Sequence, residues 1–152
     1  MKVVSIWNPK GGQGKSMIAI NLAAAAVEIG LKPLGIDTDL QGTSLLFHQA
    51  GNLPFEVVSN IPREAPDAEL VVIDHQAHDW EIPAAPLLVM PVKPARTQYA
   101  TYADALKKAQ AIGKRIITVV TDGDVRRLSQ KNTVTALKQR GAFEIRSSAV
   151  FD

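Results

Sequence analysis

Asn8-Pro9-Lys10-Gly11-Gly12-Gln13-Gly14-Lys15-Ser16 decides how the rest of the chain is read. An apolar run, Val3–Trp7, precedes it, and an Ala-rich stretch, Ser16–Ile29, follows. The order strand, glycine loop, helix is the context that a phosphate-binding loop requires. Glycines let the backbone wrap an anion so that successive N–H groups point inward, and the helix N-terminus adds a favourable dipole. In such a loop Lys15 neutralises β- and γ-phosphates and Ser16 offers its hydroxyl to Mg²⁺. Gly11, Gly12, Gln13, Gly14 and Met17 contribute backbone. A glycine turn that merely joins strand to helix is the bland alternative, and Gly-Lys-Ser in this context argues against it.

Outward from the loop, apolar runs alternate with helix-period segments. Pro33–Ile36, Leu70–Ile73, Leu87–Met90 and Ile116–Val120 read as strands, with short ones at Phe55–Val58 and Phe143–Ile145. Thr97–Ile112 and Val125–Gln139 read as helices, and Gly30, Gly113 and Gly141 stand where helices stop. Continuous apolar strands separated by helices predict an α/β fold, a mostly parallel sheet with helices on both faces. Ligands of such sheets sit at the carboxyl ends of the strands. The Pro-containing stretches 59–69 and 75–86 are expected to be loops near that edge.

Two acidic stations follow in order. Asp37-Thr38-Asp39-Leu40-Gln41-Gly42-Thr43-Ser44 places two acids, one residue apart, at a strand end. Such a pair can serve a metal and a water without sharing one proton; taken alone it also suits a turn with an Asp N-cap. Leu70-Val71-Val72-Ile73-Asp74 is an apolar strand closed by an acid, the pattern of a Walker B strand with Asp74 as a water-mediated Mg²⁺ ligand. His75 and His78 beside Asp74 lack a third strong ligand and read as loop histidines.

The general phosphate-loop pattern has Gly where Pro9 stands, and the match is instead to Lys-Gly-Gly-x-Gly-Lys-Ser. With Asp37–Ser44 and the strand ending in Asp74, the chain resembles the ParA/MinD family of deviant Walker P-loop NTPases across essentially its whole length. The resemblance implies that Lys10 is the signature lysine, reaching across a nucleotide-bound dimer to the partner's phosphates. It implies that Asp37 holds the Mg²⁺ shell and Asp39 orients the attacking water. A second cation on the transferring phosphoryl group would make hydrolysis depend on dimerisation. Met17 departs from the family's second hydroxyl residue, which touches the α-phosphate, and only its backbone N–H is left for that contact. His75-Gln76-Ala77-His78-Asp79-Trp80 departs from the small residues and prolines usual after the Walker B acid. Met90–Thr97 resembles the family's proline-containing stretch bordering nucleotide and dimer interface. Thr121-Asp122-Gly123-Asp124 stands at the usual base-reading position without a guanine-reading lysine and asparagine, which favours adenine.

Composition and charge narrow the classes. The chain has 152 residues, 46% hydrophobic and 21% charged, which fits one folded domain rather than disorder. It has no cysteine, which excludes disulfides, thiol catalysis and Fe–S clusters, and with them the iron-protein reductases of the same superfamily. No apolar stretch has the length of a membrane span, the N-terminus does not read as a signal peptide, and a cytoplasmic setting is expected. Residues 1–90 hold 5 Lys/Arg and 10 Asp/Glu, and residues 91–152 hold 12 and 5. The basic half includes Lys107, Lys108, Lys114, Arg115, Arg126, Arg127, Lys131, Lys138, Arg140 and Arg146. A solvated helix face accounts for such charge, as does an anionic partner. No aromatic residue interleaves with these charges as a stacking reader of bases would need.

The resemblance implies a partition ATPase of ParA type using ATP and Mg²⁺. Its ATP-dependent homodimer would bind non-specific DNA, associate with the nucleoid and be stimulated by a ParB-like centromere-binding or adaptor partner, without membrane attachment. Residues 1–152 would form a single ATPase domain lacking the C-terminal helices usual in the family. A positioning ATPase for another cargo, a metabolic enzyme on the same fold such as an amide- or carboxylate-activating synthetase, and a nucleotide-gated module with negligible hydrolysis stay open.

Overall fold

Strands without polar alternation must be covered on both faces, and a parallel sheet between helix layers does this. A computed structural model describes residues 1–39, 42, 48–51, 53–123 and 126–145. Its strands are β1 (Lys2–Ile6), β2 (Pro33–Asp37), β3 (Glu56–Val58), β4 (Leu70–Asp74), β5 (Leu87–Val92), β6 (Arg115–Thr121) and β7 (Phe143–Ile145). They form one seven-stranded sheet in the order β3-β2-β4-β1-β5-β6-β7, every pairing parallel. The helices described are α1 (Lys15–Glu28), α2 (Arg96–Ala111) and α3 (Leu128–Gln139).

Chain direction decides which face each helix covers. From β1 the chain moves one way along the sheet to β2, and from β5 it moves the other way to β6 and β7. Right-handed crossovers therefore put α1 on one face and α2 and α3 on the other. The core follows that division. Ile18, Ala19 and Ala23 of α1 pack with Val4, Ile6, Val72 and Val89. Tyr102, Ala105 and Ala109 of α2 and Val134 and Leu137 of α3 pack with Trp7, Leu88, Met90 and Val120. Leu34, Ile36, Val71 and Ile73 form a third buried group.

Each helix lies within one residue of its sequence expectation, except that α3 starts at Leu128; Val125 is outside the described residues. Gly30, Gly113 and Gly141 take positive φ just past α1, α2 and α3, as a left-handed helix stop requires. β5 runs two residues beyond Met90, through Pro91. The Pro91 carbonyl faces the β1 side, where it accepts from Asn8 Nδ2 at 2.8 Å. In an extended strand the N–H of the same residue would point the same way, and β1 has stopped pairing at Ile6↔Val89. The missing proline N–H thus leaves no ladder bond unmade.

The stretches 59–69 and 75–86 are irregular, as expected, but only their starts lie at the carboxyl edge. Each crosses without a helix to the opposite edge. There the Glu69 N–H donates to the Lys32 carbonyl at 2.8 Å, and the Arg115 N–H donates to the Pro86 carbonyl at 3.1 Å. Among the described residues no helix is long and apolar enough to cross a membrane.

Candidate functional site

The glycine loop leaves β1 at the middle of the carboxyl edge. Asn8 is fully buried and pins its start: Nδ2 holds the Pro91 carbonyl, and Oδ1 accepts from the Lys10 N–H at 2.9 Å. On the other side, the His78 N–H donates to the Pro9 carbonyl at 2.7 Å, with His78 itself at φ +65°. Gly14 caps α1 at φ +88°, a conformation that costs any residue with a Cβ. Among the described residues nothing lies within 4 Å of where a Cβ on Gly12 would stand. Among the described residues no side chain caps α1, and no acid stands in its first turn, so the first-turn N–H groups suit an anion.

A cleft of about 190 Å³ runs over Gly12–Met17 and is bounded by Asp39, Asp74, His75 and Ala77. Lys15 is buried in it, 8% exposed, and its Nζ donates to the Lys10 carbonyl at 3.1 Å. Burial lowers the Lys15 ammonium below its ordinary range, while Asp74 and Asp39 pull the other way. Ser16 Oγ donates to Asp74 Oδ2 at 2.6 Å, which leaves the hydroxyl lone pairs for another partner. Asp37 and Asp74, each 2% exposed, close two adjacent strands in register. The Asp39 N–H donates to Asp37 Oδ1 at 3.0 Å, which sets the second acid relative to the first. These are hard oxygen donors, suited to Mg²⁺ rather than to a thiolate-seeking metal. The open glycine cradle, the uncapped helix and the buried lysine suit a phosphate chain.

The structure thus brings Gly12, Gln13, Gly14, Lys15, Ser16, Met17, Asp39 and Asp74 to one cleft, with Asp37 beside Asp74. Gly11 packs against Ala77 below the loop, its built Cβ 3.5 Å from that side chain. Lys10 is exposed and lends the cleft only its carbonyl. Leu40, Gln41, Thr43, Ser44, Asp124 and Arg146 lie outside the described residues.

The histidines divide. His75 Nε2 lies 2.8 Å from Ser5 Oγ, and burial lowers its pKa from the ordinary value of 6.5; Asp79 opposes that shift and Lys15 adds to it. His78 is exposed. Among the described residues no group of three or more His, Asp or Glu could hold a metal ion.

Three features were missed in the sequence. Thr38 Oγ1 donates to the Asp74 carbonyl at 2.9 Å and accepts from the Gln76 N–H at 3.2 Å, which ties the two acidic stations together. Its signal was only a hydroxyl between two acids. Gln13, in a loop otherwise of glycine and charge, bonds residues 80 and 85 positions away. Trp80 sets its ring 4.9 Å from Lys108 Nζ, so an aromatic 28 positions away in sequence meets a basic side chain of α2. Lys107, Lys131, Lys138 and Arg140 are exposed on α2 and α3 or at their ends, whereas Lys114 Nζ is bonded to the Ala84 and Ala85 carbonyls.

The fold is shared with solved structures of low sequence identity. A putative plasmid partition protein from Borrelia burgdorferi bound to AMPPNP superposes with a TM-score of 0.77 at 15% identity, covering 99% of this chain and 89% of that one. Cobyrinic acid a,c-diamide synthase from Mycobacterium smegmatis, with bound ADP and magnesium, gives 0.66 at 17%, covering 92% and 82%. The MinD cell division protein from Aquifex aeolicus gives 0.68 at 16%, covering 98% and 84%. The family model described as the CobQ/CobB/MinD/ParA nucleotide binding domain matches residues 4–145. With that match spanning nearly the whole chain and the phosphate-loop architecture at the strand ends, the chain belongs to the CobQ/CobB/MinD/ParA nucleotide-binding domain family.

Proposed function

We propose that this chain hydrolyses Mg²⁺-ATP as a ParA-type partition ATPase. Its ATP-bound homodimer would bind DNA without sequence preference and be discharged by a ParB-like partner. The observation that carries the reading is the placement of Lys15, Ser16, Asp39 and Asp74 on one small cleft with Lys10 exposed at the loop's start. Partition proteins and MinD on the same fold support it.

The roles follow from the chemistry of the side chains. Lys15 exchanges the Lys10 carbonyl for phosphate oxygens. The first-turn N–H groups of α1 and the Gly12–Gly14 backbone bind the phosphate chain. Ser16, Asp37 and Asp74 would hold Mg²⁺, which when bound supplies charge neutralisation at the β- and γ-phosphate oxygens. Asp39 orients the attacking water. Lys10 serves the phosphates of a second copy, so that turnover needs the dimer. The ligand-bound synthase among the similar structures keeps the metabolic reading in view, yet a synthetase gains nothing from Lys10 acting in trans.

Salt-titrated DNA binding with ADP and with a non-hydrolysable ATP analogue, together with ATP turnover and light scattering, tests the reading. Tight, salt-sensitive binding and a dimer are expected only with the analogue. Lys15→Ala is expected to abolish turnover and Lys10→Ala to lower kcat by about 100-fold or more. Equal DNA binding in both nucleotide states, or turnover stimulated by a small carboxylic acid instead of DNA and partner, sinks it.

A further inference from the structure

We infer that the Gln13 side chain is a positioning residue that clamps the phosphate loop to the β5–α2 segment and thereby sets nucleotide affinity. The inference rests on the nucleotide-binding reading above. Gln13 is fully buried. One of its side-chain atoms lies 2.8 Å from the Lys93 backbone N. A backbone N–H only donates, so that atom is Oε1, and Nε2 must face the other way. There it donates to the Gly11 carbonyl at 3.2 Å and to Gln98 Oε1 at 2.6 Å. Both amide protons and the oxygen are thus engaged by three different places: the loop itself, the end of β5 and the first turn of α2.

Two more bonds close the frame. Thr121 Oγ1, at the end of β6, donates to the Gln13 carbonyl at 3.0 Å. Lys93 Nζ reaches Asp122 at 3.4 Å, the residue next to Thr121. Residue 13 is therefore braced through its side chain by β5 and α2 and through its carbonyl by β6. A loop whose work is to aim N–H groups at phosphates gains from being held in that shape before the ligand arrives. An apolar side chain of similar bulk would fill the space but leave the Lys93 N–H and Gly11 carbonyl without this partner. The amide is there for direction, not for volume.

The test uses the whole chain, with Gln13→Val, Gln98→Ala and Gln13→Glu. Mg²⁺-ATP affinity is measured by calorimetry, kcat and KM by turnover, and backbone amide exchange by NMR without nucleotide. For Gln13→Val, Kd and KM are expected to rise about 10-fold or more with kcat within about threefold, a loss of held-loop binding rather than of chemistry. Protection of the Lys93 amide is expected to fall about 10-fold while β1 amides stay protected. Gln98→Ala removes one arm and should shift affinity the same way by less. Gln13→Glu still accepts from Lys93 but sets a carboxylate oxygen against the Gly11 carbonyl and beside the phosphates, so it should keep part of the Lys93 protection without restoring nucleotide affinity. A merely structural glutamine would lower Tm and leave ATP affinity of the folded protein unchanged; that result overturns the clamp, as does unaltered Lys93 protection in Gln13→Val. Wild-type protein that binds no nucleotide defeats the functional reading and the affinity claim together, while loss of Lys93 protection would still establish the brace itself.

Discussion

His75 shows how much one residue carries that its neighbours in sequence do not announce. Its ring is held against Ser5 Oγ on β1, 70 positions away, and burial keeps the imidazole below its ordinary value of 6.5. Between the folded value and 6.5 the unfolded chain binds more protons than the folded one, so stability rises with pH in that window. The contribution is complete above 6.5 and is lost as pH falls through that value towards the folded one. Denaturant titrations of the nucleotide-free protein should show a midpoint that falls from pH 7 to pH 5. His75→Gln should flatten that slope; an unchanged slope would assign it to other groups. At this scale the sequence disclosed what a short spacing can disclose. Lys15, Ser16, Asp37, Asp39 and Asp74 were legible because each stands at a strand end or in the glycine loop. The bonds of Thr38, Gln13 and His75 were not, since their partners meet only when strands far apart in sequence become neighbours.

Elements were easier to read than bonds. Uninterrupted apolar runs marked strands buried on both faces, and a glycine past each helix marked its end. Pro91 hid the last third of β5, because a proline inside a strand argues for its end unless one knows that the neighbouring strand has already stopped. The crossings at 59–69 and 75–86 carry no periodicity, so their path to the far edge left no trace in the pattern. The junction of β1 and α1 makes a test at this scale. Gly14 sits at φ +88°, with only Met17 Cε and Thr121 atoms between 3.7 and 4.0 Å of a built Cβ. Gly14→Ala therefore meets backbone strain rather than a clash. It should cost about 1–2 kcal/mol of unfolding free energy in denaturant and weaken nucleotide binding. Full stability would show that the loop can reach α1 by another backbone path.

Across the whole molecule the charge imbalance acquires a direction. The acidic first part of the chain, residues 1–90, builds β3, β2, β4, β1 and the first four residues of β5, and the basic remainder builds the end of β5 with β6 and β7. Because the sheet order never mixes the two sets, an imbalance along the sequence becomes a left–right polarity in space. If the basic side meets DNA, each phosphate contact adds about 0.9 to the log–log salt slope. Lys131→Ala with Lys138→Ala on α3 should then lower the slope by about 2 without changing ATP turnover in the absence of DNA. An unchanged slope would move the DNA surface elsewhere. The same architecture gives the protein an optical asymmetry. Trp7 is sealed in the core with its indole N–H on the Asp79 carbonyl, while Trp80 stands 45% exposed beside Lys108. These are the chain's two tryptophans. One emits from a hydrocarbon-like interior and the other from water, where a collisional quencher reaches it. Both are fastened to the segment that begins at Asp74, so intrinsic fluorescence reports on the rim of the cleft without any added dye.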